Sequence, residues 1–486
     1  MVRSIALGLV LLATTAAADQ PASSLKLEDC RISVGAGAPG IAARCGILLR
    51  PLDPDDPGKG ELELKVAVVP ALSLEPASDP FVPIAGGPGQ SSIYFYAGWS
   101  PAFERVRLQR DILLLDQRGT GASAPLACDV DGALVEGKYL AEQTTRLTEQ
   151  CLDLLPHDPR YFTTSVAARD LEALRLALGY SQLNLYGILY GSRVAQHYAR
   201  RYPDATRTVI LDGVVPPQLP LGPDIATESQ RAIDGVFARC AEAPACNERF
   251  PALRDDFALL LGALAEEPIT VALQHPVTAK RELVEFSADH FTAAIRLLLY
   301  NPGTVALLPL LISDAADGNF APLAAQFHMV AESLAESLSI GMHNAVLCTE
   351  DAPFIDWASV DQSAVNASYM GPVQLEAIRT MCAVWPRGVL DDDLREPLAT
   401  DKPVLLLSGG AEPITPPYFA ALAAVAMRNQ WQVVGEQQGH GLAAVGCMPR
   451  IIAEFVSAAS LADISTDCVQ DAFVMPFFID YTGPTP

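Results

Sequence analysis

Three short segments carry the residue types for acyl transfer. The first is Gly187-Ile188-Leu189-Tyr190-Gly191, with an apolar run at 183–186 before it and a helical stretch at 192–202 after it. Strand, sharp turn and helix is the setting in which G-x-S-x-G lifts a serine hydroxyl to the edge of a sheet. Here the central residue is Leu189. An aliphatic side chain has no lone pair to attack a carbonyl and no proton to surrender. It is also larger than serine and fills the space meant for a substrate carbonyl. The other two segments follow in the order nucleophile, acid, base. Glu412 comes just after an apolar run at 404–408, and His440 stands between Gly439 and Gly441. A carboxylate there suits the residue that orients an imidazole, and a histidine between glycines is free to reach the turn.

An oxyanion hole needs two N–H groups aimed at the developing charge. Tyr190 supplies one, and the Gly86-Gly87-Pro88-Gly89 loop supplies the other through Gly87, because Pro88 has no N–H. Ser192 and Tyr190 are the hydroxyls that could stand in for a serine. Ser192 falls inside the following helix and Tyr190 faces another way on the turn, so neither is expected at the apex. His157, His197, His275, His290, His328 and His343 lack such a context and are read as structural.

These residues require a scaffold of parallel strands. Apolar runs at 81–85, 111–115, 183–186, 208–211, 404–408 and 431–434 alternate with helical periods at 166–178, 192–202, 418–427 and 450–458. Buried apolar strands separated by helices predict an α/β fold with a mostly parallel central sheet. Shorter β-prone runs at 31–34, 45–50 and 62–69 precede them. Residues 216–371 are Ala/Leu-rich and helical in period, which predicts a helical lid inserted between a first core part (19–215) and a second (372–486). Asp391-Asp392-Asp393 reads as a solvated turn.

The chain has 486 residues, 50% of them hydrophobic, and a formal charge of −24. That charge argues against nucleic-acid binding, which needs a basic surface; it reads first as a solubility feature, with only a weak pull on cationic or amine-bearing partners through long-range attraction. Met1-Val2-Arg3-Ser4, an apolar run at 5–12 and Ala16-Ala17-Ala18 predict a secretory leader over residues 1–18. Secretion or a periplasmic location follows, with no membrane attachment once the leader is removed. Ten cysteines would then meet an oxidising space. Their spacing suggests that neighbours pair: Cys30–Cys45, Cys128–Cys151, Cys240–Cys246, Cys348–Cys382 and Cys447–Cys468. Neither Cys-x-x-Cys nor His-Glu-x-x-His is present, so no metal site is expected. The Gly35–Gly40 stretch matches G-x-G-x-x-G outside a βαβ context, and no cofactor is implied.

Taken together, Gly86-Gly87-Pro88-Gly89, Asp116-Gln117-Arg118-Gly119-Thr120-Gly121, the Gly187–Gly191 turn, Glu412-Pro413-Ile414-Thr415-Pro416 and Gly439-His440-Gly441 resemble the α/β-hydrolase peptidases. Within them the chain is similar to the secreted prolyl and tripeptidyl aminopeptidases, over nearly its whole mature length. The resemblance implies a core sheet with a helical lid and the release of residues or short peptides from free N-termini. It also implies a substrate-ammonium contact at Cys348-Thr349-Glu350-Asp351, carried by Glu350 and Asp351. The alternative reading of that acidic pair is a helix end in solvent. The family usually has Asp where this chain has Glu412, and either carboxylate can hold an imidazole. Three functions remain: a serine aminopeptidase by ancestry with its nucleophile replaced, a non-catalytic binder of peptides or a partner protein, or an esterase-like hydrolase on the same scaffold.

Overall fold

The computed structural model describes residues 25–35, 38–128, 141–275, 278–460 and 462–484. The leader expected over 1–18 lies outside them. The strands are β1 (Glu28–Ile32), β2 (Ile41–Pro51), β3 (Glu61–Val69), β4 (Phe81–Ile84), β5 (Ile112–Leu115), β6 (Leu183–Leu189), β7 (Thr206–Val214), β8 (Ile269–Gln274), β9 (Arg281–Phe286), β10 (Val404–Gly409) and β11 (Gln430–Gly435). One sheet orders them β1-β2-β3-β5-β4-β6-β7-β10-β11. From β5 to β11 every neighbour is parallel, while β1, β2 and β3 add an antiparallel flank that joins β5. β4, β5, β6 and β10 are buried along their whole length. Such unbroken apolar runs are what a parallel strand needs when helices cover both faces. Helix Ser92–Arg107 packs on Met448–Ala458, and Thr164–Leu178 packs on Tyr190–Arg201.

Between β7 and β10 the chain leaves the sheet. Helices Ile225–Glu242, Leu253–Glu266, Ala288–Leu298, Leu308–Ala316 and Ala321–Ser337 close around an apolar core of their own, with Ile233, Phe257, Phe291 and Leu308 inside. The purely helical expectation for this region needs a correction, because β8 and β9 form an antiparallel hairpin. Val271 and Leu273 are buried while Thr270 and Ala272 face out. That two-residue period is a strand's, and it was hidden by the Leu/Ala-rich composition around it. Past the last core helix, the C-terminal segment crosses back to this second core. Phe477 and Phe478 pack there, and Phe478 N–H donates to the Ala306 carbonyl at 3.0 Å.

All five expected cysteine pairs are disulfides. Cys348–Cys382 fastens the turn at Leu347–Asp351 to helix Val373–Val384. Among the described residues, no helix is long and apolar enough to cross a membrane.

Candidate active site

β6 ends at Leu189, and helix Tyr190–Arg201 begins at the next residue. The turn is possible because its flanking residues are glycines. A methyl on Gly187 would run into the Gly191 carbonyl, and one on Gly191 into the Ile84 carbonyl. Leu189 itself has φ +50° and ψ −121°. That conformation costs a non-glycine residue on the order of 1–3 kcal/mol and is tolerated where the surroundings enforce it. Leu189 is 8% exposed. The neighbouring hydroxyls are committed elsewhere. Ser192 Oγ donates to the Leu189 carbonyl at 2.5 Å and accepts from Val215 N–H at 2.9 Å. Tyr190 Oη shares a hydrogen bond with Thr164 Oγ1 at 2.8 Å. Burial, with the Glu350 charge adding to it, holds the Tyr190 phenol protonated far above its ordinary range.

The acid and the base arrive from β10 and β11. His440 Nδ1 lies 2.8 Å from Glu412 Oε2, and Glu412 is fully buried. Glu412 Oε1 accepts from Ile414 N–H at 3.0 Å, so both carboxylate oxygens are fixed. With a proton on Nδ1 facing the carboxylate, Nε2 is left for a reacting group. The His440 N–H donates to the Tyr300 carbonyl at 2.9 Å, and the Tyr300 ring meets the imidazole edge-on at 5.1 Å between centroids. Burial opposes the charged imidazolium. The Glu412 charge and hydrogen bond, with Asp212 behind them, outweigh it and raise the His440 pKa above its ordinary value.

Asp212 was not singled out from the sequence. It is fully buried and accepts from Leu442 N–H at 2.9 Å, Ala443 N–H at 3.0 Å and Tyr186 Oη at 2.8 Å. It therefore holds the loop that carries His440. Burial raises its pKa even against those donors. The signal in the sequence was an acid ending an apolar strand directly before Gly213, where a surface acid would not be expected.

Strand register brings these parts to one edge. Ile188 pairs with Asp212 and Leu189 with Val214, so the intervening Gly213 bulges. Gly213 has φ +56°, and a Cβ there would sit 3.1 Å from His440 Cε1. On the other side, a Cβ on Gly86 would lie 3.1 Å from Leu189 Cβ. The glycine loop, the turn and the imidazole thus meet at the carboxyl ends of the parallel strands, where open α/β sheets place their sites. Tyr190 opens its helix, so its N–H has no carbonyl a turn earlier to bond. Gly87 belongs to the loop beside it. Asp116 secures that loop: Ser91 Oγ donates to it at 2.6 Å and Ile93 N–H at 3.0 Å. Arg118 of the same motif is fully buried and grips Asp170 at 2.6 and 2.9 Å. The Asp116–Gly121 motif thus braces the residues that follow the glycine loop and the helix that carries Asp170.

Glu350 and Asp351 are fully buried, which removes the reading of a solvent-exposed helix end. Glu350 accepts from Thr164 N–H and Thr164 Oγ1, both at 2.7 Å. Asp351 takes both arms of Arg193, at 2.8 and 3.0 Å, and Leu221 N–H at 2.8 Å. Every oxygen of the pair has a protein partner. Burial pushes the Glu350 carboxyl up to about 7, against the pull of Arg193 and Thr164. Asp391 is likewise no solvated turn residue. It pairs with His197 at 2.9 Å and with Arg201 at 2.9 Å, and these partners hold its carboxyl below its ordinary range against the cost of burial. His197, Asp391 and Asp393 lie close enough to suggest a cation site, but Arg201 already spans both carboxylates.

Residues 79–246 match the alpha/beta hydrolase fold family, and residues 367–468 match the family described as TAP-like protein. A tripeptidyl aminopeptidase of Streptomyces lividans is 25% identical over 415 residues, covering 77% of this chain and 73% of that protein. The serine protease Hip1 of Mycobacterium bovis is 30% identical over 223 residues, covering 42% of each. Carboxylesterase B of Mycobacterium tuberculosis is 27% identical over 239 residues, covering 45% of this chain and 46% of that protein.

Proposed function

This chain is an α/β hydrolase related to the tripeptidyl aminopeptidases, and we propose that it is an exported aminopeptidase-type protein whose acyl-transfer step is blocked at Leu189. The leader-like N-terminus and the five disulfides support export to an oxidising space. The observation that carries the reading is Leu189 in the strained apex conformation at the strand end beside a paired His440 and Glu412. In the proposed scheme His440 Nε2 is the base, Glu412 orients it, and Gly87 and Tyr190 N–H groups receive the oxyanion. Leu189 gives the base nothing to deprotonate. In that state acyl transfer does not proceed.

The test compares the unaltered chain with Leu189→Ser on N-terminal di- and tripeptide reporters. A restored hydroxyl should raise turnover by at least about 10³-fold, since losing such a serine costs about 10⁶ elsewhere. Strong turnover by the unaltered chain would show that the nucleophile lies outside this turn. Silence in both would leave a peptide- or partner-binding role. The esterase reading has support from the carboxylesterase relative. It wins if Leu189→Ser hydrolyses short acyl esters and leaves peptide reporters untouched.

Selection of a free N-terminus by Glu350 and Asp351 is a further part of the proposal. With their oxygens engaged by Thr164, Arg193 and Leu221, a substrate ammonium must displace one of these donors. Glu350→Gln decides it. A loss confined to free-amine peptides supports the contact, and an equal loss for acylated peptides assigns Glu350 to holding Tyr190 through Thr164.

A further inference from the structure

The glycine loop that would carry the second oxyanion donor has little support of its own. Gly87 has φ +101° and Gly89 φ +106°, conformations open to glycine and to few other residues. Such a loop has many states to choose from, and its own closing hydrogen bond, from Gln90 N–H to the Gly86 carbonyl, is long at 3.4 Å. The core fixes its two ends, through Ala85 N–H on Ser92 Oγ at 3.1 Å and through Asp116 on Ser91 and Ile93. Its middle is held from the lid side.

The holding segment is the joint between the two apolar cores. Helix Ala321–Ser337 buries Leu323, Ala324 and Phe327 in the lid core, whereas helix Ile340–Val346 buries Met342, Ala345 and Val346 in the sheet core. The chain passes from one to the other at Leu338 and Ser339, and there it meets the glycine loop. Leu338 pairs with Gln90 as an isolated antiparallel bridge. Ser339 N–H donates to the Gly89 carbonyl at 2.9 Å. His343 Nδ1 lies 3.2 Å from the Pro88 carbonyl, which can only accept, so that nitrogen carries the proton. Leu338 Cδ1 would stand 2.9 Å from a Cβ on Gly87 and 3.2 Å from one on Gly89, so this methyl group lies over both glycines. The joint is itself anchored, since Ser339 Oγ and Gly341 N–H both donate to the Leu126 carbonyl at 2.8 Å. The carbonyls of Pro88 and Gly89 come one and two residues after Gly87, and releasing them would release the backbone angles of Gly87 as well.

We propose that Leu338 and His343 are positioning residues for the oxyanion hole: through the joint that bears them, the lid holds the Gly87 backbone in the conformation that aims its N–H. They act through Gly87 and not on the substrate. The chemistry of this proposal rests on the acyl-transfer reading above, while the contacts with the loop stand without it.

The first measurement needs no turnover. Hydrogen exchange of the unaltered chain is read on the amides of residues 86–90. His343→Leu should raise exchange there about three- to tenfold, the scale of one hydrogen bond, while β10 and β11 keep their protection and report a folded chain. His343→Asn should stay at the unaltered rate, because its amide can place a donor where Nδ1 was. Leu338→Ala, at a half-buried position, frees the loop from the apolar side and should raise the same exchange even if His343→Leu does not fold. The second measurement is kinetic. In the Leu189→Ser background, His343→Leu and Leu338→Ala should each lower kcat about tenfold at constant KM, a part of the roughly 10²–10³ that a lost oxyanion donor costs. His343→Asn should recover most of that loss. Exchange at 86–90 that ignores both His343→Leu and Leu338→Ala overturns the proposal. A rise spread evenly over the lid helices does so too, because it would make these residues ordinary packing. The outcomes stay separate from those for the nucleophile. A Leu189→Ser variant silent on every reporter, with loop exchange that answers to His343, sinks the aminopeptidase reading and keeps the lid's hold on the loop. An active Leu189→Ser whose kcat ignores both substitutions, or which changes in KM alone, does the reverse.

Discussion

The two flanks of the site differ in what they have kept. On the His440 flank the acid and the imidazole are held from several sides: Glu412 holds Nδ1, Ile414 N–H holds Glu412, and Asp212 holds the loop at Leu442 and Ala443. On the turn flank the backbone is equally specific, with Leu189 at φ +50° between glycines that pack on Gly191 and Ile84 carbonyls. Yet the side chain at its apex is inert. The glycines and the strand–helix junction set the turn's geometry, and the residue at the apex is a passenger. On the proposed reading, chemistry can leave such a site without the scaffold registering the loss.

The sharpest way to break this comparison is to restore the hydroxyl and then remove the base. In Leu189→Ser, replacing His440 by Ala should cost about 10⁶ in kcat, as loss of a comparable histidine does. In the unaltered chain the same replacement should leave the residual rate unchanged. If His440→Ala lowers a measurable rate in the unaltered chain, the imidazole already serves another nucleophile and the flanks are not independent.

Next in size is the acid. Glu412→Gln in the Leu189→Ser background should cost about 10⁴ in kcat, because the imidazole loses both its orientation and its counter-charge. The pH profile should shift with it. His440 acts as base only when neutral, so activity should rise with pH through its raised pKa. Removing Glu412 leaves burial as the main influence and should move that rise to lower pH. The same pair has a stability signature with the opposite slope. A histidine whose folded pKa is raised adds stability fully present below its unfolded value of about 6.5, and that stability is lost as pH climbs through the folded value. Urea unfolding of the unaltered chain and His440→Gln should differ most at the acidic end of this window. A difference that grows toward alkaline pH would contradict the raised pKa.

The same contrast explains what could be read in advance. The parallel strands, the turn, Glu412 and His440 were legible because each joins an apolar run to a residue that has no reason to be there in a simple loop. The hairpin of β8 and β9 was not, since Ala and Leu serve both periods. Helix Ser92–Arg107 escaped for a related reason: Gly98 and Pro101 interrupt its pattern, and its start depends on Ser91 bonding Asp116, a contact across 25 residues.

Asp212 sharpens the comparison at intermediate scale. Asp212→Asn keeps the shape and removes an acceptor from Leu442 or Ala443 N–H. Leaving one buried N–H unpaired costs about 1–3 kcal/mol, which urea unfolding will resolve. In the Leu189→Ser background it should also lower kcat through a misplaced His440, while KM for peptide reporters holds. A change in KM alone would mean that Asp212 supports the lid side of the site.

The smallest effect bears most directly on the claim that the turn enforces its own geometry. At an ordinary helix position such as Ala195, in helix Tyr190–Arg201, changing Ala to Gly should destabilise by about 0.5–1 kcal/mol through lost backbone entropy. At position 189 the order should reverse. Leu189→Ala and Leu189→Gly both empty the same space, so their difference isolates the backbone. Ala at φ +50° and ψ −121° carries the strain that Leu189 carries now, and Gly does not. The Gly variant should therefore be the more stable of the two by about 1 kcal/mol, read as a shift in the urea midpoint at constant slope. An Ala variant as stable as the Gly variant would mean that the turn relaxes when Leu189 is trimmed. The apex conformation would then belong to the leucine, and the scaffold would not be holding the place of a lost nucleophile.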